Sequence, residues 1–264
     1  MTLREKYGEW GIILGATEGV GKAFAEKIAS EGMSVVLVGR REEKLQELGK
    51  SISETYGVDH MVIRADFAQS DCTDKIFEAT KDLDMGFMSY VACFHTFGKL
   101  QDTPWEKHEQ MINVNVMTFL KCFYHYMGIF AKQDRGAVIN VSSLTAISSS
   151  PYNAQYGAGK SYIKKLTEAV AAECESTNVD VEVITLGTTI TPSLLSNLPG
   201  GPAGEAVMKT AMTPEACVEE AFDNLGKSLS VIAGEHNKSK VHNWQANKTD
   251  DEYIRYMGSF YSNN

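Results

Sequence analysis

Trp10-Gly11-Ile12-Ile13-Leu14-Gly15-Ala16-Thr17-Glu18-Gly19-Val20-Gly21 is the stretch on which the fold turns. It opens as an apolar run of strand type that stops at Gly15. Behind the glycines at 15, 19 and 21, Val20, Ala23, Phe24, Lys27 and Ile28 recur at helical spacing until Gly32 ends the segment. A buried strand, a glycine turn and a helix, in that order, make a phosphate-binding element. The turn is tight, the backbone can approach a pyrophosphate, and the free N–H groups of the helix N-terminus meet the anion. The spacing is GxxxGxG rather than GxGxxG. Gly15, Thr17, Glu18, Gly19, Val20 and Gly21 are the candidate contacts.

Outward from this element the chain alternates. Strand-like runs at Val35–Val38, Met61–Ile63, Met88–Ala92, Ala137–Val141, Val179–Leu186 and near Leu229–Ala233 are separated by amphipathic helices. Those helices are expected at Glu42–Tyr56, Thr73–Leu83, Pro104–Phe130, Asn153–Cys174 and Pro214–Leu225. Strand, helix, strand, repeated with continuous apolar strands, predicts an α/β fold. It is a single doubly wound parallel sheet (Rossmann) of about seven strands with helices on both faces. No linker divides the chain, so residues 1–264 are expected to form one domain, with a substrate loop over 193–212 and a C-terminal tail over 240–264. Ligands should bind beyond the C-terminal strand ends.

Composition narrows the function. The 264 residues carry 25 Lys+Arg against 34 Asp+Glu, a net charge of −9, which disfavours nucleic acid or an anionic membrane surface as the partner. The apolar runs fall far short of the roughly 18 residues of a membrane helix. The start, Met1-Thr2-Leu3-Arg4-Glu5-Lys6, has no signal-peptide character, so a cytoplasmic location is the expectation. The 5 cysteines form no CxxC and the 6 histidines no HxxxH pair, so neither disulfides nor a metal site is expected.

The end of the second strand bears on which nucleotide is bound. NAD binders usually place a carboxylate there for the ribose 2′-hydroxyl. Here the run is Val38-Gly39-Arg40-Arg41-Glu42-Glu43-Lys44. Gly39 takes the acid position, and Arg40 and Arg41 could hold a 2′-phosphate by charge-assisted hydrogen bonds. Lys44 lies one turn on and Thr17 could add a hydroxyl. The alternative is a solvated charge cluster, but basic groups at a helix start oppose its dipole. The expected cofactor is therefore NADP(H). Asp66, with Phe67 beside it, follows the third strand where an acid could accept from an adenine amino group.

Farther on, Tyr156-Gly157-Ala158-Gly159-Lys160 places a phenol and an ammonium at i and i+4 on one helix face. Ser143 stands upstream at the end of the fifth strand, and Asn115 lies in the long preceding helix.

GxxxGxG, Asn115, Ser143 and YxxxK, in this order and at these intervals, resemble the short-chain dehydrogenase/reductase family over residues 10 to about 235. Within it, Gly39–Lys44, Asp102–Asn115, Ala137–Ser150, Asp180–Gly201 and the Tyr253–Tyr261 tail more closely resemble bacterial NADP-dependent 7β-hydroxysteroid dehydrogenases acting on bile acids. The resemblance implies Tyr156 as proton donor and acceptor, with its pKa lowered by Lys160. It implies Lys160 as a holder of the nicotinamide ribose, Ser143 as a hydrogen-bond donor to the substrate oxygen, and Asn115 as the anchor of a water in a proton relay. It further implies that Ala92 lies by the adenine ribose, that the Ile190 backbone meets the nicotinamide amide, and that Thr191 meets a phosphate. A homodimer or homotetramer is also implied. The family's usual Asn-Asn-Ala-Gly after strand four reads Tyr90-Val91-Ala92-Cys93 here.

The substrate expected from such chemistry is a secondary alcohol or ketone with apolar bulk, here a steroid or bile acid. Its walls are sought in Phe94, His95, Leu144, Thr145, Tyr152 and the 193–212 loop with Ser193, besides Ser143 and Tyr156. Pro199-Gly200-Gly201-Pro202 suits a lid. Tyr253, Ile254, Tyr256, Met257, Phe260 and Tyr261 form a terminal aromatic stripe, to be buried on its own core, on a neighbouring subunit or at the pocket mouth. A reductase of another bulky ketone, such as a 3-oxoacyl thioester, and a non-catalytic NADP-sensing protein are the competing readings.

Overall fold

The computed structural model describes residues 1–196, 198 and 200–259. Strands β1 (Trp10–Leu14), β2 (Ser34–Gly39), β3 (His60–Arg64), β4 (Met85–Tyr90), β5 (Gly136–Ser143), β6 (Val179–Leu186) and β7 (Ser230–Ile232) pair in parallel, in the order β3-β2-β1-β4-β5-β6-β7. The expected doubly wound α/β sheet is thus observed. Ile12 of β1 sits opposite Val36 on one side and Met88 on the other. Each strand sends alternate side chains to opposite faces, and the continuous apolar runs are explained by a core on each face.

One core gathers Ile13, Leu37 and Ile139 beneath helices α2 (Gly19–Ser30), α3 (Glu42–Tyr56) and α10 (Pro214–Asn224). The other gathers Ile12, Val36 and Met88 beneath α4 (Cys72–Thr80), α6 (Phe119–Gln133) and α7 (Ala154–Glu173). A short helix, α1 (Leu3–Tyr7), precedes the sheet. Its N-cap Thr2 forms a capping box with Glu5, a signal the apolar-run reading passed over.

Two expectations change. The helix expected over 104–130 is interrupted. Pro104 caps α5 (Trp105–Ile112), a π-helical segment Asn113–Thr118 follows, and α6 then takes over. The region 193–212 is largely helical rather than a loop, with α8 (Pro192–Ser196) and α9 (Gly201–Thr210). Glycine followed by proline also begins a helix: Gly200 is the N-cap and the proline falls in the first turn.

At the C-terminus, α11 (Glu235–Asn247) and α12 (Asp250–Ser259) pack on each other. Tyr253 stacks on Trp244 with ring centroids 4.1 Å apart, and with Val241 they form a third cluster that also takes in Leu144 and Ile147. Tyr253 is therefore covered by its own chain, with Met257 packed against the same cluster beside the segment after β5, while Tyr256 stays exposed. Phe260 and Tyr261 lie outside the described residues.

Candidate active site

From β3 the chain crosses to β4 on the far side of β1, so the loops after β1 and β4 part and leave a crevice between them. A cleft of about 450 Å³ opens there. Its glycine end is close-built. Gly15 adopts φ +103, and a Cβ on it would lie 2.6 Å from the Ala92 backbone nitrogen. The backbone groups of β1 and β4 are tied across this point, since Val91 and Ala92 both donate to the Leu14 carbonyl. A side chain at Gly21 would run into the Gly15 carbonyl, so this glycine packs helix on turn and does not itself line the cleft. Gly15, Thr17, Glu18, Gly19 and Val20 do line it, as do Asp66, Phe67 and Ala92 beyond them.

At the β2 end, Gly39, Arg40 and Arg41 form the wall. Glu18 pairs with Arg41 at 2.9 Å and with Lys44 at 3.8 Å. Arg40 is exposed and has no carboxylate within ion-pair distance among the described residues. Lys44, the third residue of α3, lines an adjoining groove shared with Arg40, Arg41 and Arg64 and not the main cleft itself. Of the basic run, Arg40 is thus the group left uncommitted.

The remaining expected side chains meet at the other end. Ser143, Tyr156, Lys160, His95, Thr191 and Ser193 line the same cleft. Ser143 ends β5; its hydroxyl accepts from the Thr145 backbone N–H at 3.3 Å and hydrogen-bonds the Tyr156 phenol. Lys160, one turn along α7, is 2% exposed; its Nζ donates to the Val141 carbonyl at 2.9 Å and lies 5.9 Å from the Tyr156 ring centroid.

Burial pushes the Tyr156 phenol well above its ordinary value, the charge of Cys93 adds to this, and the Ser143 hydrogen bond opposes it. Burial likewise pushes the Lys160 ammonium down. The expected lowering of Tyr156 by Lys160 is therefore not what dominates: desolvation wins, because the ammonium is itself buried and aimed at a carbonyl.

Asn115 lies behind this group, in the π-helical segment. Its Oδ1 accepts from the Phe94 N–H at 2.9 Å and its Nδ2 donates to the Phe94 carbonyl at 2.7 Å. Both ends of the amide hold the loop after β4, and each keeps one further hydrogen-bonding position. Thr145 and Ile190 also miss the walls. The Thr145 hydroxyl is buried without a partner among the described residues, and the Ile190 N–H is spent on the Met212 carbonyl at 2.8 Å. Leu144 packs against the C-terminal cluster instead of the cleft. Tyr152, also off the cleft walls, holds φ +64, a costly conformation for a tyrosine, just ahead of α7.

Gln110 and Cys93 line the cleft without having been expected there. Gln110 carries no motif. Cys93 stands where the family pattern usually has glycine, and that departure was the available signal.

Residues 9–198 match the short chain dehydrogenase family, and the chain belongs to it. Members of this family use nicotinamide cofactors. The chain is 76% identical over 261 residues to the 7beta-hydroxysteroid dehydrogenase of Mediterraneibacter gnavus, covering 99% of each, and equally so to that of Collinsella aerofaciens. A solved 7beta-hydroxysteroid dehydrogenase structure superimposes with a TM-score of 0.95 at 75% identity, covering 97% of this chain and 99% of the other.

Proposed function

We propose that the chain is an NADP(H)-dependent 7β-hydroxysteroid dehydrogenase that interconverts a 7β-hydroxyl and a 7-keto group on bile acids, such as ursodeoxycholate and 7-ketolithocholate. The observation that carries the substrate class is the 76% identity spread over 99% of both chains. The chemistry rests on the Ser143–Tyr156 hydrogen bond with Lys160 one helical turn away.

The cradle fits a dinucleotide: a Cβ-free approach at Gly15, a helix N-terminus behind it, and Arg40 at the far wall. Gly15, Thr17, Glu18, Gly19 and Val20 would face the pyrophosphate side, Asp66, Phe67 and Ala92 the adenosine, and Arg40 the 2′-phosphate. Thr191 would meet a phosphate and Lys160 the nicotinamide ribose. When bound, the nicotinamide supplies or takes up the hydride at the carbinol carbon. The chain does the rest. Tyr156 gives its phenolic proton to the ketone oxygen during reduction and takes the hydroxyl proton during oxidation. Ser143 hydrogen-bonds both that oxygen and the phenol, which fixes the distance over which the proton moves. Lys160 stabilises the phenolate left behind, whose formation burial otherwise opposes. His95 and Ser193, which line the cleft, would touch the steroid.

We take the whole chain as one domain and place it in the cytoplasm. Among the described residues no helix is long and apolar enough to cross a membrane. Trp105 and Tyr124, 73% and 80% exposed on α5 and α6, suit an isologous contact in a homodimer or homotetramer.

The test is NADPH oxidation with 7-ketolithocholate, followed by separation of the products. A 7β-alcohol is expected. A 7α-alcohol, faster turnover of a 3-oxoacyl thioester, or tight NADPH binding with no turnover of any ketone each rejects the assignment.

A further inference from the structure

His108 stands on α5, half-buried, and does not line the cleft. Its ring ties together two segments that do reach it. Nδ1 faces Oε1 of Gln155, the residue before Tyr156 in the first turn of α7. Nε2 faces the Leu100 carbonyl oxygen at 3.0 Å. Leu100 opens the short turn Leu100–Asp102, at the far end of the loop after β4. Gln155 returns the contact, its Nε2 donating to the His108 carbonyl at 2.8 Å. That bond fixes which way the amide points and leaves Oε1 toward the ring. Both ring partners are thus oxygen acceptors: each nitrogen ties its side when it carries hydrogen, and the doubly protonated ring ties both. A further tie runs alongside, from the Gly98 N–H to the Tyr152 carbonyl at 2.9 Å, just ahead of α7.

We propose that His108 is a positioning residue for the ketone reaction, a buckle that with Gln155 fixes the loop after β4 against the start of α7. The loop is held at its near end by Asn115, which grips Phe94, and at its far end by His108 at Leu100. Between these anchors it carries His95, which lines the cleft with its ring 5.5 Å from that of Tyr156. The separation of His95 and Tyr156 is therefore set by groups that flank both. The buckle closes on Gln155, the residue joined to Tyr156 in the chain. The cofactor end is built separately, where Val91 and Ala92 donate to the Leu14 carbonyl and the Gly15 turn packs on them. Loss of the buckle should loosen the wall that the ketone meets and leave the dinucleotide cradle as it is. The effect on turnover rests on the dehydrogenase reading above; the buckle itself does not.

The experiment compares the full-length protein with His108→Ala, His108→Asn, Gln155→Ala and the double alanine variant. Steady-state kinetics with 7-ketolithocholate and NADPH and hydrogen exchange read by mass spectrometry are followed together. His108→Ala should raise the ketone KM about tenfold, the scale of one lost hydrogen bond, with kcat and the NADPH KM within about threefold. His108→Asn, whose shorter amide can still donate to Gln155 but does not reach Leu100, should fall between that variant and the original. Gln155→Ala should also raise the ketone KM, and the double variant should go no further than His108→Ala alone, because one contact cannot be lost twice. Without substrate, amide exchange over residues 95–103 should quicken about tenfold in His108→Ala. An unchanged ketone KM in His108→Ala, with or without a fall in kcat and Tm, would overturn the proposal. So would additive effects in the double variant, or unchanged exchange over residues 95–103. If the original protein fails to reduce 7-ketolithocholate, the dehydrogenase reading falls, and the exchange experiment still decides whether the buckle holds.

Discussion

Replacing Glu182 by glutamine should stabilise this protein in alkaline solution, and more so the more alkaline it is. Glu182 lies in the middle of β6 with no exposed surface, and neither carboxylate oxygen has a hydrogen-bond partner among the described residues. Burial, with the neighbouring charge of Glu220 adding to it, raises its carboxyl from 4.5 to about 8. A raised acid is favoured protonated in the fold. The folded chain therefore binds the extra proton between those values, and stability falls as pH rises from 4.5 toward 8. At about 1.4 kcal/mol per pH unit, the ionised group costs the fold up to about 5 kcal/mol above that range. Glutamine escapes the charge but keeps a buried polar head that costs about 1–3 kcal/mol. A net gain of about 2–4 kcal/mol near pH 9 follows, or roughly 5–10 °C in Tm, and it turns into a loss of up to about 2 kcal/mol near pH 5, where the folded carboxyl is already protonated. Denaturant unfolding of both proteins, followed by circular dichroism across that range, measures the gap. A gap that is the same at both ends, or that widens toward acid, would show that Glu182 is not held protonated and would refute the reasoning.

Tyr156→Phe keeps the ring and its packing but removes the transferable proton; turnover should drop by about 10²–10⁴ with NADPH affinity within a few-fold, and retention of turnover within about tenfold would reject the role. Arg40→Ala should raise the KM for NADPH by about tenfold or more while leaving that for NADH nearly unchanged. Adding Gly39→Asp, whose Cβ would meet Thr17 Oγ1 at 2.8 Å, should shift preference further toward NADH, whereas equal losses for both cofactors would mean that Arg40 does not read a phosphate. Glu18→Gln frees Arg41 from its 2.9 Å ion pair and should strengthen NADPH binding, with isothermal titration as the measure; weaker binding would show that Glu18 positions the loop. Tyr253→Ala removes the stack on Trp244 and the hydrogen bond to Ser148, and should lower stability by roughly 3 kcal/mol and raise the steroid KM but not the cofactor KM.

The cofactor half of the site could be read from the chain because its information is local. A glycine turn between a strand and a helix is spelled in consecutive residues, and the arginines follow β2 directly. The spacing of Tyr156 and Lys160 likewise guarantees one helix face. What spacing cannot express is depth. Desolvation controls both groups, and it depends on how β5, α7 and the loop after β4 close around them. The same limit explains Lys44, which follows the arginines in sequence but lines the adjoining groove and not the main cleft. It also explains Gln110 and Cys93, which reach the cleft through topology, from an interrupted helix and a strand end that no single motif joins.

Asn115 shows what that interruption accomplishes. An unbroken α-helix from 104 to 130 would hold each side chain in a fixed rotation relative to the next. The π-helical turn over Asn113–Thr118 resets that rotation between α5 and α6. Within it Asn115 is 1% exposed, close against Gly159 of α7, where a Cβ would approach the Asn115 Cβ at 3.1 Å. Its amide reaches across to grip Phe94. One residue thus fixes the helix that carries Tyr156 and Lys160 relative to the loop that carries Cys93 and His95. The distances among those four side chains, 5.5 Å from His95 to Tyr156 and 5.9 Å from Lys160 to Tyr156, depend on a contact that none of them makes. The contacts suit Asn115 to positioning: a change at this residue should displace the phenol, the ammonium, the imidazole and the thiol together.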